Sequence, residues 1–343
     1  MRGFCLRIIC LMIAAVLTGC APSNKIKDEE KPDCFVRNGR VLLKAAESFA
    51  PSAVLTGTTP AEVSELFSGL MRRRADLFWL SPAYRYEVQG KTVRVLLSYR
   101  MEQAEAVRTE ALLKRRADEM IASVSDSLSV IERTRLIHDR LIASVCYETG
   151  GTNVPLLAAI LEGRANCEGY ARALQYLLMR AGISSCYVTG DAEGPHAWLM
   201  VQDERGAWAH VDPTFDDVVC EDGTSFCSHA YFWLNDRDLS RTHTLSDADR
   251  PYPPADGKSY PEMIRADDPD TFARTAHEAL IQSSVDGNGA AEFLFVQGTN
   301  ERTLSLLDRA VVQEAASFGA SVIRRVTARN SRIISYVLKD RLS

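Results

Sequence analysis

The chain has 343 residues, long enough for two or three domains, and its 46% hydrophobic and 25% charged residues make an ordinary globular balance with ample material for a core. Its net charge of −5, with no basic run longer than a triplet such as Arg72-Arg73-Arg74, argues against a nucleic-acid surface, which needs a clustered basic face. That triplet reads as a solvated helix end.

The first twenty residues carry Arg2 and Arg7 and then an apolar run, Ile8 to Leu17, too short to span a bilayer as a stable anchor, so they read as an export signal. Their end, Leu17-Thr18-Gly19-Cys20, resembles a bacterial lipobox. That resemblance implies cleavage before Cys20 and lipidation of its thiol, in place of an ordinary secretory signal. Residues 21–33 hold almost no apolar side chains and are expected to be a flexible tether.

Residues 34–125 read as a helix and hairpin module without a catalytic constellation. Val63, Leu66, Phe67 and Leu70 share one helical face over Ala61 to Arg72; Tyr84 to Val88 and Thr92 to Tyr99 flank Gln89-Gly90 as strands; Glu102 to Ala122 reads as a long helix. Ser129-Val130-Ile131-Glu132 is a capping-box pattern opening the next helix, with Leu136, Leu141 and Val145 on its buried face, and it marks the start of a core domain over 126–250. His138 on this helix reads as a packing or capping residue, since no acid or nucleophile pairs with it in sequence.

Asn166 to Asp217 is the chemically informative stretch. Leu174, Leu177, Leu178 and Ala181 repeat at helical spacing, Asn166 can cap the start, and Gly182 suits the left-handed turn that ends the helix. Cys167 then lies in the first turn, where unpartnered N–H groups and the helix dipole favour a thiolate, and Gly169 is expected to let a substrate backbone approach the sulfur. Ser184 to Thr189, His196 to Gln202 and Ala207 to Val211 read as three antiparallel strands. If Gln202 faces Ala207, His196 falls opposite Pro213, and a register shifted by one puts it opposite Asp212. Either way imidazole and carboxylate come within reach. A cysteine, a histidine and an orienting carboxylate are what thiol acyl transfer requires.

The blocks Cys167-Glu168-Gly169-Tyr170-Ala171, His196-Ala197-Trp198 and His210-Val211-Asp212-Pro213-Thr214-Phe215-Asp216-Asp217 resemble the three signatures of the bacterial transglutaminase-like superfamily, in the order Cys, His, Asp. Upstream, Ile137 to Glu148 resembles the leading helix of that family; downstream, Tyr231 to Asp236 and His243 resemble its closing segment. The resemblance covers about Ser129 to Ser246. It implies an α+β, papain-like core, a nucleophile helix packed on an antiparallel sheet, with Cys167 as nucleophile, His196 as base and Asp212 as orienter. The superfamily includes proteases, cross-linkers, amidases and retired copies, so the implied activity is a thiol hydrolase, protease or acyl transferase on peptide or side-chain amides, cell-wall peptides among them. The alternative is a binding or scaffold module at the cell surface that does no chemistry.

Residues 251–266, with Pro251, Pro253, Pro254 and Pro261, are expected to be a linker. A C-terminal α/β module over 267–343 follows, with helices at Thr271 to Ile281 and Thr303 to Phe318, a strand at Glu292 to Val296, and a hairpin of Ser321 to Thr327 and Arg332 to Leu338 around Arg329-Asn330. Of the remaining cysteines, Cys220 and Cys227 bracket a turn-forming loop that a disulfide could close in an exported protein. A zinc site from Cys167, His196, His210 and Asp212 competes for the same atoms, but no close-spaced ligand pair supports it, and neither metal nor cofactor is expected.

Overall fold

The structure is a computed structural model that describes residues 10–12, 33–220, 223, 225–246, 252–260, 263–286, 290–295, 301–329 and 333–339. Cys20, residues 21–32 and Asn330 lie outside the described residues.

Local rules explain where the helices begin. The helix Pro60–Arg73 starts at Thr59, and the helix Val130–Ser144 at Ser129; in both, the hydroxyl accepts from the N–H of the glutamate three residues on, while that glutamate accepts from the N–H of the capping residue. Thr134, Ile137, His138, Leu141 and Ile142 form the buried stripe of the second helix. Leu141 and Val145 are buried as expected, whereas Leu136 is only partly buried and His138 lies on the buried stripe, so the buried face is turned from the expected one. Two elements preceding the expected ones, the helix Asp33–Glu47 and the strand Ser52–Thr56, complete the N-terminal part, whose strand order is Cys10–Met12, Tyr84–Gln89, Thr92–Leu96, Ser52–Thr56, all antiparallel.

The central sheet is antiparallel, in the order Phe232–Leu234, Trp208–Val211, Pro195–Gln202, Ser185–Asp191, Thr244–Leu245. Its middle strand reads Ala197-Trp198-Leu199-Met200-Val201 without a polar residue because both faces are covered. Ala197, Leu199 and Val201 join the cysteine helix, Cys167–Arg180, in a core that extends into the N-terminal part. Trp198 and Met200 face the other way, into a cluster with Ala255, Tyr260, Leu294 and Ile333. The described part of the stretch expected as a linker, 252–260 and 263–266, is packed rather than free: Ala255, Tyr260 and Ala266 are buried, and Asp236 N–H donates to the Ala255 carbonyl at 2.7 Å.

Gly190 opposes His196 in this sheet, and a Cβ there would stand 2.1 Å from the Thr244 carbonyl oxygen and 2.5 Å from the Trp198 ring. Only glycine lets the indole cross the neighbouring strand. The C-terminal module packs the helices Phe272–Asp286 and Glu301–Ser317 on an antiparallel sheet ordered Ala290–Leu294, Ile333–Lys339, Ser321–Thr327, with its own apolar core.

Candidate active site

Cys167 opens its helix half-buried, and the Asn166 side chain caps the start by accepting from Gly169 N–H at 3.1 Å. The two amides before it have no carbonyl one turn back, which leaves partial positive charge beside the thiol. Contrary to the expectation from sequence, Gly169 does not open a path to substrate. A Cβ on it would meet Ala165 Cβ at 2.7 Å and the Pro155 carbonyl at 3.2 Å, so this glycine lets the preceding loop pack against the helix.

The register of the next two strands differs from both expected ones. Gln202 faces Trp208 and Leu199 faces Val211, because Asp203 folds the intervening loop tightly: its carboxylate accepts from Arg205 N–H at 2.9 Å and Ala207 N–H at 2.8 Å. Extending that register places Asp212 beside Trp198, one pleat from His196 on the same face. The diagonal distance is within reach of the side chains. The chain then turns at Asp212 into the short helix Pro213–Asp216, capped by Asp212 Oδ1, which accepts from Thr214 N–H at 2.9 Å and Phe215 N–H at 3.3 Å.

Asp212 Oδ2 takes His196 Nε2 at 2.7 Å and His243 Nε2 at 3.0 Å, so this fully buried carboxylate accepts four hydrogen bonds. Burial by itself would raise its pKa, but the His196 charge and the hydrogen bonds from His196 and His243 hold it well below the usual carboxylate range. For His196 the balance has the same form. Burial would lower its pKa, but the Asp212 charge and hydrogen bond, followed by the hydrogen bond with Cys167, raise it to about 10. With Nε2 committed to Asp212, the ring nitrogen left for the thiol is Nδ1. Aromatic rings surround the imidazole, with Phe215 at 4.8 Å and Trp198 at 5.9 Å between centroids.

Sequence reasoning placed His243 only in a closing segment; its bond to Asp212 arises from tertiary packing after the strand that ends at Leu234. His210, a member of the competing zinc set, is not at the site. Its Nδ1 accepts from Trp198 Nε1 at 3.1 Å and its Nε2 meets Asp236 at 2.8 Å. The expected disulfide is also absent. Cys220 and Cys227 are both free thiols; Cys227 pairs with Asp217 in the hairpin register, three positions from Cys220, or about 10 Å along a strand, and its sulfur turns inward to Asp139 Oδ1 at 3.4 Å. A cavity of about 100 Å³ opens beside the first turn of the cysteine helix, between Glu168 and Arg172 on one wall and Phe78, Arg100 and Pro155 on the other.

Residues 114–213, which include Cys167, His196 and Asp212, match the family model described as the transglutaminase-like superfamily core. The chain therefore carries a transglutaminase-like superfamily core over these residues. Its core is the α+β, papain-like arrangement of that superfamily, a cysteine helix against an antiparallel sheet. No curated protein matches the sequence. Among solved structures, it is similar to a candidate cysteine protease from Cytophaga hutchinsonii (17% identity, 38% of this chain and 56% of that one, TM-score 0.27). It is also similar to a TGase (14% identity, 40% and 45%, TM-score 0.29) and to the periplasmic domain of TgpA from Pseudomonas aeruginosa bound to ethylmercury (18% identity, 36% and 55%, TM-score 0.25). The chain spans about half the length of these structures.

Proposed function

We propose that this transglutaminase-like protein is an exported, lipid-anchored thiol hydrolase of peptide or side-chain amides in the bacterial cell envelope. The observation that carries the reading is the contact of His196 Nε2 with the buried Asp212, which leaves Nδ1 as the nitrogen available to the Cys167 thiol at its helix start. In the forward step the Cys167 sulfur adds to the amide carbonyl carbon, and the imidazolium of His196 gives its proton to the leaving amine as the C–N bond breaks. This yields an acyl-thioester. Water then adds to the thioester with His196 as base, and collapse releases the carboxylic acid and restores the thiol and imidazole pair. Asp212 stays ionised throughout and holds the tautomer.

Hydrolysis is favoured over cross-linking because the Cys167 side chain is only half-buried, whereas cross-linking needs a channel that keeps water from the thioester. The scaffold reading requires all three residues to be held in register to no chemical end. Cys20 would carry the lipid, and cleavage before it would also remove the edge strand Cys10–Met12. No helix among the described residues is long and apolar enough to cross a membrane. A thiol-directed probe under reducing conditions tests the reading: wild type should label at Cys167 faster than at its other cysteines, and His196→Ala should slow that labelling. A wild-type Cys167 no faster than Cys34 or Cys146 would favour the scaffold.

A further inference from the structure

A second group of ionisable side chains lies away from the candidate active site, where the helix Val130–Ser144, the strand Ser225–Cys227 and the C-terminal module meet. Four potential ligand atoms converge there: His138 Nδ1, Asp139 Oδ1, Cys227 Sγ and His229 Nε2, all within 4.8 Å of one another. Asp139 Oδ1 is 2.8 Å from His138 Nδ1, 3.0 Å from His229 Nε2 and 3.4 Å from Cys227 Sγ, and the sulfur is 3.9 Å from His138 Nδ1. Ligands at zinc distances of about 2.0 to 2.3 Å in a tetrahedron stand roughly 3.3 to 3.8 Å apart, so small outward shifts would open this cluster around one ion.

The outer contacts of both histidines point the same way. His229 turns its other nitrogen, Nδ1, to Glu292 Oε2 at 2.6 Å, and His138 turns Nε2 toward Asp216 Oδ2 at 3.3 Å. Metal-bound histidines are held in this way, the second ring N–H donating to a carboxylate that fixes tautomer and ring orientation. His138 Nε2 and Asp216 Oδ2 lack a hydrogen-bond partner of good geometry, although both are fully buried. A metal on Nδ1 puts the ring proton on Nε2, opposite that oxygen. The Glu292 carboxylate is itself oriented by Ser228 and Ser335 hydroxyls, each at 3.1 Å.

We propose that His138, Asp139, Cys227 and His229 bind one zinc-class divalent ion as a structural centre. One thiolate and one carboxylate balance its two charges, and two neutral imidazoles complete a closed four-ligand set without an open position for substrate. The centre ties the leading helix to the segment after Asp212 and, through Glu292, to the C-terminal module. It also lies next to the short helix that Asp212 caps, since Asp216 N–H returns to the Asp212 carbonyl at 3.3 Å.

The test uses the full chain with Cys167 alkylated, so that the nucleophile cannot supply sulfur. Zinc is added alone, excess is removed, and metal content is measured; cobalt(II) is then substituted and the thiolate-to-cobalt charge-transfer band recorded. The expected result is one ion per chain, a cobalt band that survives alkylation of Cys167, a zinc absorption-edge fit with one sulfur and three nitrogen or oxygen ligands, and loss of the band in Cys227→Ser. If Cys227→Ser does not fold, stoichiometry and ligand count on the alkylated protein carry the test. Less than about 0.2 ion per chain, a ligand set without sulfur, or a band unchanged in Cys227→Ser overturns the proposal. None of these readouts depends on amide turnover.

Discussion

Asp212→Asn keeps the shape of the side chain but cannot keep its bonds. The carboxylate accepts two backbone N–H groups on Oδ1 and two imidazole N–H groups on Oδ2, whereas an amide has one acceptor oxygen, so either orientation points its NH₂ at a pair of donors. It also removes the charge that, against burial and with smaller help from Cys167, does most to raise His196 from 6.5 to about 10; that net rise corresponds to about 5 kcal/mol of preference for the charged imidazole at 1.36 kcal/mol per pKa unit. That energy belongs to the His196 and Asp212 pair jointly and is counted once. Because the folded pKa of His196 lies above its unfolded value, the stabilisation is fully present below about pH 6.5 and disappears as pH rises through about 10. Asp212 has a lowered pKa, so its share is present above about pH 4 and is lost on acidification. Urea unfolding of wild type and variant at pH 6 and pH 10, at fixed ionic strength, reads the difference. At pH 6 the variant should be less stable by about 3 to 5 kcal/mol, the range for breaking a buried pair, and the gap should narrow by several kcal/mol at pH 10. A gap of equal size at both pH values would refute the ionised pair.

Three further outcomes are expected. His243→Ala removes one of four hydrogen bonds to Asp212 and leaves the His196 bond in place, so acylation of Cys167 should slow by less than in Asp212→Asn; equal slowing in stopped-flow assays would make His243 as necessary as the carboxylate. Gly190→Ala must displace both the Thr244 backbone and the Trp198 ring, and thermal or urea unfolding should show a loss of about 3 kcal/mol or more, while an unchanged midpoint would contradict that close packing. Cys20→Ser should move the exported protein from membrane to soluble fractions, since stable anchoring needs the several chains that lipobox processing adds, and continued membrane partition would contradict lipidation.

What could be read from the sequence was what local rules decide. The capping boxes, the helix after Asn166 and the buried middle strand follow from spacing and cap chemistry, and the three chemical residues sit at element ends where a motif exposes them. Contacts set by loop geometry and tertiary packing were not legible. The Asp203 loop moved the register past both expected values, yet His196 still reaches Asp212, because residues on one face a single pleat apart remain neighbours. Asp212-Pro213 did carry an unused signal, since an N-cap aspartate followed by proline predicts the short helix that turns the carboxylate back. His138 seemed isolated because, apart from the adjacent Asp139, its partners Asp216, Cys227 and His229 are about 80 to 90 residues away in sequence and are brought to it by the segment that follows the central strands. The inward turn of Cys227 likewise depends on that distant carboxylate at Asp139, so a turn-forming loop between two cysteines gave the wrong pairing.

The central claim is that Cys167 is a nucleophile activated by an imidazole which Asp212 orients, and single-turnover acylation with an activated ester, followed by intact mass and peptide mapping, tests it most directly. Wild type should form one acyl adduct, on Cys167, that decays in water; His196→Ala should form it far more slowly; Cys167→Ala should form none. An adduct of the same rate in Cys167→Ala, or wild-type acylation unaffected by His196→Ala, would contradict the mechanism.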